Sequence, residues 1–176
     1  MVFTFYGKIG KNYLVRRTLM KKAIVFSSGT GNTEKLANKI QSLVGETMYM
    51  GKPSEEALEA DVIFLGSWAM AFTCTPDIKE FAEKLNNKKV FLFMTAGYDQ
   101  KEEFFTSVMD AFKANINDSN EVVGTFICAG KVSEAKKAGL VKLGKFEQFE
   151  AGIAVAESHP DDADLAALAA KVQEVL

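Results

Sequence analysis

The sequence predicts one α/β domain, a parallel β-sheet covered by helices on both faces, and three observations lead there. Short apolar runs such as KKAIVFS, DVIFLGS and KKVFLFMTAG are continuous rather than alternating, which is the pattern of strands buried on both faces. Segments with apolar residues at helical spacing separate these runs, and such alternation of strand and helix predicts a parallel, doubly covered sheet. The first run also passes without a break into SSGTGNT, a compact turn of glycines and hydroxyl residues between a central strand and the helix that follows.

Taken in order, the first strand is the run at 21–27. The helix at 33–44 sets Leu36, Ala37, Ile40, Leu43 and Val44 on one face. Thr47, Met48, Tyr49 and Met50 form a brief second strand, and residues 61–67 the third. A helix at 76–85 begins at Thr75 and Pro76, a hydroxyl N-cap followed by proline at the first helical position. The fourth strand spans 88–97, a helix follows at 101–114, and the fifth strand spans 121–130. The last helix, 161–176, carries Leu165, Leu168, Val172 and Val175 in one stripe, with Asp161, Asp162 and Asp164 complementing its dipole at the start. Five strands and four or five helices result, with a glycine-punctuated region at about 131–160 whose structure the sequence leaves open.

At 176 residues, with 48% hydrophobic and 25% charged residues, the chain is the size of one domain with a full core. Cys74, Cys128 and the single histidine, His159, have no ligand-like spacing, which excludes a Cys/His metal cluster. Cys74 reads as a small packed side chain, Cys128 as core, and His159 as part of a helix start. No apolar run approaches the ~20 residues of a membrane span, and there is no clear signal peptide, so a cytoplasmic protein without a membrane partner is expected. Lys8, Lys11, Arg16 and Arg17 give residues 1–20 a charge of +4 with no acid, and the chain total of −2 leaves −6 for residues 21–176. Residues 1–20 are thus expected to be a basic extension outside the fold, and 21–176 the domain itself. The acidic body argues against nucleic acid, whose affinity comes from Lys and Arg neutralising phosphates.

In a doubly wound sheet the ligand lies beyond the carboxyl ends of the strands, where strand order reverses. Ser28, Gly29, Thr30, Gly31, Asn32 and Thr33 occupy that place. Glycines let the backbone curl around an anion, the helix N-terminus supplies positive partial charge, and the hydroxyls donate hydrogen bonds. A triphosphate loop needs lysine after its last glycine, and Asn32 stands there instead; Gly-x-Gly-x-x-Gly fails at Glu34. A cradle without lysine suits a terminal monophosphate; an ordinary glycine-rich strand-to-helix turn is the plainer reading.

Ser28-Gly29-Thr30-Gly31-Asn32-Thr33 resembles the phosphate-loop pattern Thr/Ser-x-Thr-Gly-x-Thr of the flavodoxin family, immediately after the first strand. The resemblance covers about residues 21–176. It implies a flavodoxin-like five-stranded parallel sheet of order 2-1-3-4-5, helices on both faces, and FMN bound non-covalently. The Trp68 loop, the KKVFLFMTAG strand and His159-Pro160 before the last helix are similar to a small anaerobe-type flavodoxin subfamily, some of whose members are accessory proteins of bilirubin reductase. By the same resemblance, Ser67, Trp68 and Ala69 after the third strand and Thr95, Ala96, Gly97 and Tyr98 after the fourth meet the flavin ring. Trp68 is the candidate for stacking, with a core anchor as the alternative, and Tyr98 either touches the flavin or sits at its rim. The second loop departs from the family's longer acidic version. Met70 and Phe72 either wall one flavin face or pack beneath the next helix.

Two function classes remain open. One is an electron carrier, monomer or weak dimer, that shuttles electrons between a reductase and an acceptor enzyme; its acidic body would steer it toward basic partners. The other is an NAD(P)H-dependent FMN reductase acting on a small acceptor such as a quinone. Residues 131–158, with Lys131, Lys136, Lys137, Lys142 and Lys145 among Leu140, Val141, Leu143, Phe146 and Phe149, are either the partner surface or an amphipathic cover for the sheet edge.

Overall fold

The computed structural model describes residues 20–97 and 101–176. Five strands, β1 (Lys22–Phe26), β2 (Tyr49–Gly51), β3 (Val62–Trp68), β4 (Lys89–Ala96) and β5 (Glu121–Ala129), form one sheet of order β2-β1-β3-β4-β5, with every pairing parallel. The helices are α1 (Asn32–Val44), α2 (Pro76–Glu83), α3 (Glu102–Lys113), α4 (Glu134–Lys142), α5 (Phe146–Ala156) and α6 (Asp162–Gln173), and a 3-10 turn covers Glu55–Glu59.

Period-two alternation along the strands divides the core into two layers. Ala23, Val25, Ile63, Leu65, Val90, Leu92 and Met94 face α2 and α3, where Ile78, Phe81, Val108 and Phe112 meet them. Ile24, Phe64, Phe91 and Phe93 face the other way, onto Leu36 and Ile40 of α1 and Leu168 and Val172 of α6. Both faces of β1, β3 and β4 are therefore buried, which is why their sequences read as unbroken apolar runs.

Most expected elements stand within two residues of their predicted bounds. The structure adds detail in two places, the chain between β5 and α6 and the start of α2. The region at 131–160 holds α4 and α5, a helical hairpin around Val132, Leu140, Ile153, Phe146 and Phe149. Only Leu140 of α4 is buried, so its sequence has no apolar stripe to reveal it. Thr75 stands at the N-cap of α2 with Pro76 at N1, yet its hydroxyl does not cap the helix. It lies 3.2 Å from Ser67 Oγ, and the Thr75 amide donates to the same oxygen at 2.9 Å.

Candidate functional site

The loops after β1, β3 and β5 converge at the carboxyl edge of the sheet, around the point between β1 and β3 where strand order reverses. Ser27 N donates to Gly66 O there, closing β1 onto β3 at 3.1 Å.

The first loop is a glycine turn leading into α1. Gly31 is the N-cap with φ 87°, a left-handed conformation that a side chain would strain, and nothing lies within 4 Å of where its Cβ would stand. The space above the helix start is open. Ser28 Oγ accepts from Gly31 N at 3.2 Å and Glu34 N at 3.3 Å. One oxygen thus already sits among the turn's amides, which is the role an anion's oxygens would take. Thr30 is exposed, and its hydroxyl accepts from Asn32 Nδ2 at 3.1 Å. Gly29 lies beside Trp68: a Cβ there would be 3.8 Å from the indole Nε1.

Three polar residues expected at the site turn inward instead. Thr33, 1% exposed, pairs its hydroxyl with that of Thr95, 3% exposed, at 3.2 Å, tying the first turn of α1 to the end of β4. Ser67 is fully buried, donates to Trp68 O at 3.0 Å and holds Thr75 as above. These hydroxyls are satisfied by one another, as buried polar groups must be. Ala96 is buried, Ala69 N donates to Thr95 O at 2.8 Å, and Gly97 abuts Val132, whose Cγ2 would be 2.6 Å from an added Cβ. Tyr98 lies outside the described residues.

The loop after β3 is a tight hairpin. Met70 N donates to Thr73 O at 2.8 Å and Thr73 N to Met70 O at 3.1 Å, with Ala71 and Phe72 as the two central residues at φ 48° and 66°. Such turns favour Asn-Gly, and each left-handed residue here costs roughly 1–2 kcal/mol. Neither Met70 nor Phe72 packs beneath the next helix: Met70 is 42% and Phe72 73% exposed, the latter edge-on to Phe104 with ring centroids 6.2 Å apart. Thr73 Oγ1 donates to Ala111 O at 3.1 Å and anchors the turn's base to α3.

The sequence reading missed the contribution of the loop after β5. Asn32 Nδ2 donates to Lys131 O at 2.9 Å, and a Cβ on Gly130 would stand 2.9 Å from the same nitrogen. The neck of the α4–α5 hairpin is closed by Lys131 N donating to His159 O at 2.9 Å, and Lys35 Nζ of α1 reaches Pro160 O at 2.6 Å. The hairpin is therefore fastened at its base to the glycine turn. From α4, Lys136 Nζ lies 4.0 Å from the centroid of the Trp68 ring, and desolvation by burial lowers its pKa. The signal available in the sequence was Gly130 at the end of a strand; the Lys136 contact, 68 positions from Trp68, left none.

His159 ends the hairpin rather than serving the loops. Its Nδ1 is 2.6 Å from Asp164 Oδ2, within the capping box in which Asp161 and Asp164 cap α6. Both cysteines are buried, and burial raises the pKa of each thiol. Among the described residues no helix is long and apolar enough to cross a membrane.

Comparison with known proteins agrees with this architecture. The family model described as "Flavodoxin domain" matches residues 23–173. The flavodoxin-like domain-containing protein BilS of Clostridioides difficile is 30% identical over 159 residues, covering 83% of this chain and 90% of that protein. A flavodoxin of Megasphaera elsdenii is 34% identical over 118 residues, 59% of this chain and 82% of its own. Among solved structures, oxidised Flavodoxin 2 from Bacillus cereus shares the fold at 23% identity and a TM-score of 0.50, over 76% of this chain and 97% of its own. With the order β2-β1-β3-β4-β5, the glycine turn at the switch point and a family match over nearly the whole described domain, the chain belongs to the flavodoxin family.

Proposed function

We propose that the protein is an FMN-binding electron carrier that passes electrons between a reductase and an acceptor enzyme. The observation that carries this reading is the turn at the start of α1, where a left-handed Gly31 leaves open space above a helix N-terminus at the sheet's switch point. The donor set fits a monophosphate: backbone amides and small hydroxyls, with no arginine or lysine among residues 28–33. FMN is the family's cofactor, and when bound it supplies one- and two-electron chemistry that protein side chains lack.

The chain's own residues divide the work. Gly29, Thr30, Gly31 and Asn32, with the amide of Thr33, take the phosphate, and Ser28 holds the turn in shape until it arrives. Trp68 and Ala69, with Gly97 and Tyr98, offer the surface for the ring, while Ser67, Thr95 and Ala96 form the buried frame that sets their positions. Phe72 and Met70 stand out on their strained turn, Phe72 edge-on to Phe104 of α3, whose first turn also carries the exposed Glu102 and Glu103. A negative rim around a redox centre raises encounter rates with basic partners and makes them fall with salt.

The test is a spectrum of the purified protein followed by anaerobic NADPH. The carrier reading predicts bound flavin that stays oxidised until a separate reductase is added. Direct bleaching by NADPH alone would replace it with an NAD(P)H-dependent reductase.

A further inference from the structure

The α4–α5 hairpin sorts its lysines. Lys131 pairs with Glu157 at 2.5 Å, and Lys137 pairs with Glu134 at 2.8 Å and Glu157 at 2.9 Å, so both fasten the hairpin to itself. Lys136 does neither. Among the described residues no carboxylate pairs with it, and its ammonium rests on the Trp68 ring, 4.0 Å from the centroid. A cation over an indole face is held by the ring quadrupole. That ring is only partly buried and its Nε1 edge lies over Gly29. The hairpin bearing Lys136 is itself bonded to the cradle through Asn32 and Lys35. An unpaired positive charge is thus placed, by a segment with its own small core, at the meeting point of the glycine turn and the one tryptophan.

We propose that Lys136 is a cofactor-facing residue of this site, a cation supplied by the α4–α5 hairpin that stabilises the reduced, more negative state of bound FMN relative to the oxidised state. The inference rests on the reading of Trp68 and the glycine turn as the FMN site. It assigns the hairpin a redox role and runs against the acidic character of the remaining body. A unit charge acting across roughly 7 Å in the intermediate dielectric of a half-exposed site changes an equilibrium by about three- to thirtyfold. Because the charge acts on the ring and not on the phosphate, riboflavin should feel it as FMN does.

The experiment uses the full chain with Lys136→Gln and Lys136→Arg, and measures dissociation constants for oxidised and reduced FMN and riboflavin under anaerobic conditions, together with the emission of Trp68. The expected result is that K136Q weakens reduced FMN about tenfold more than oxidised FMN, which lowers the two-electron midpoint by about 30 mV. K136R should restore most of the difference, and riboflavin should show the same differential. Equal losses for both redox states, or none, would overturn the proposal while leaving the FMN site intact. A loss confined to FMN and absent with riboflavin would also overturn it, by assigning Lys136 to the phosphate. If the wild-type chain neither binds FMN nor changes its Trp68 emission on titration, the site reading fails and this inference with it.

Discussion

The hydroxyl pair between Thr33 and Thr95 offers a sharp perturbation, because it decides whether Thr33 is a ligand or a strut. Both side chains are at most 3% exposed and their oxygens lie 3.2 Å apart. Thr33→Val keeps the shape of the side chain and strands the Thr95 hydroxyl in the core, and Thr95→Val does the converse. An orphaned buried hydroxyl costs roughly 1–3 kcal/mol, whereas replacing both partners by apolar groups of the same shape is close to neutral. Each single variant should therefore lose about 2 kcal/mol and the double variant well under their sum, giving a coupling of roughly 2–4 kcal/mol in a double-mutant cycle. For a domain of this size the single losses correspond to a fall in Tm of roughly 4–8 °C. Urea unfolding of the apoprotein reads the cycle, and FMN titration of the same variants separates folding from binding. Thr33→Val should change the FMN dissociation constant by less than about threefold, since the amide remains, while Thr30→Ala, at an exposed hydroxyl, should weaken it about tenfold. Additive stability losses would show that the two hydroxyls do not support each other, and a Thr33→Val protein of wild-type stability that has lost FMN would make Thr33 a ligand.

Further outcomes follow from other contacts. An added Cβ at Gly66 would stand 2.2 Å from the buried ring of Phe93, so Gly66→Ala should cost at least ~3 kcal/mol in urea unfolding, and Phe93→Leu should recover part of that loss. Trp68 emission should fall on FMN binding and recover when FMN is removed; equal emission from both forms would make Trp68 a structural residue alone. Backbone hydrogen bonding from Asp164 holds the Asp161 carboxyl below its ordinary range, so its contribution to α6 is present above that range and is lost as pH falls through the depressed value. Asp161→Ala should accordingly lower Tm at pH 7, with the difference from wild type disappearing in strong acid. Cys74 and Cys128, buried with raised thiol pKa values, should resist alkylation in the native protein and react fully only in denaturant.

Much of the fold was legible because burial on both faces leaves a local signature. Residues such as Ile63, Phe64, Leu65 and Val90, Phe91, Leu92 are apolar without interruption, and no other element needs that pattern. The glycine turn was legible because the left-handed φ of Gly31 strongly favours glycine. The strand β2 begins two residues later than expected because all three of its residues are half-buried at the sheet's edge, where hydrophobic selection is weak. The α4–α5 hairpin was not legible, since α4 buries one side chain and α5 only Ile153 and Ala156.

At the site, composition located the loops but could not orient the side chains. Ser67, Thr33 and Thr95 look the same in sequence whether they face a ligand or each other, and pairing over 62 positions decided the matter for Thr33 and Thr95. Phe72 reads either as a flavin wall or as packing beneath the next helix, and it is held out by a turn whose two central residues are left-handed. The contacts of Lys131 with Asn32 and of Lys136 with Trp68 span 99 and 68 positions, and nothing local in the chain encodes them.

In the proposed site the glycine turn at α1 holds the phosphate of FMN while the loop of Trp68 meets its ring. Parallel titrations of the apoprotein with FMN and riboflavin, followed by the emission of its one tryptophan, test it most directly. The account predicts quenching that saturates at one equivalent of FMN, with riboflavin binding at least about 100-fold more weakly for want of two or more hydrogen bonds to a charged group. Equal affinity for the two flavins would contradict the phosphate cradle, and saturable FMN binding with unchanged tryptophan emission would place the ring away from Trp68.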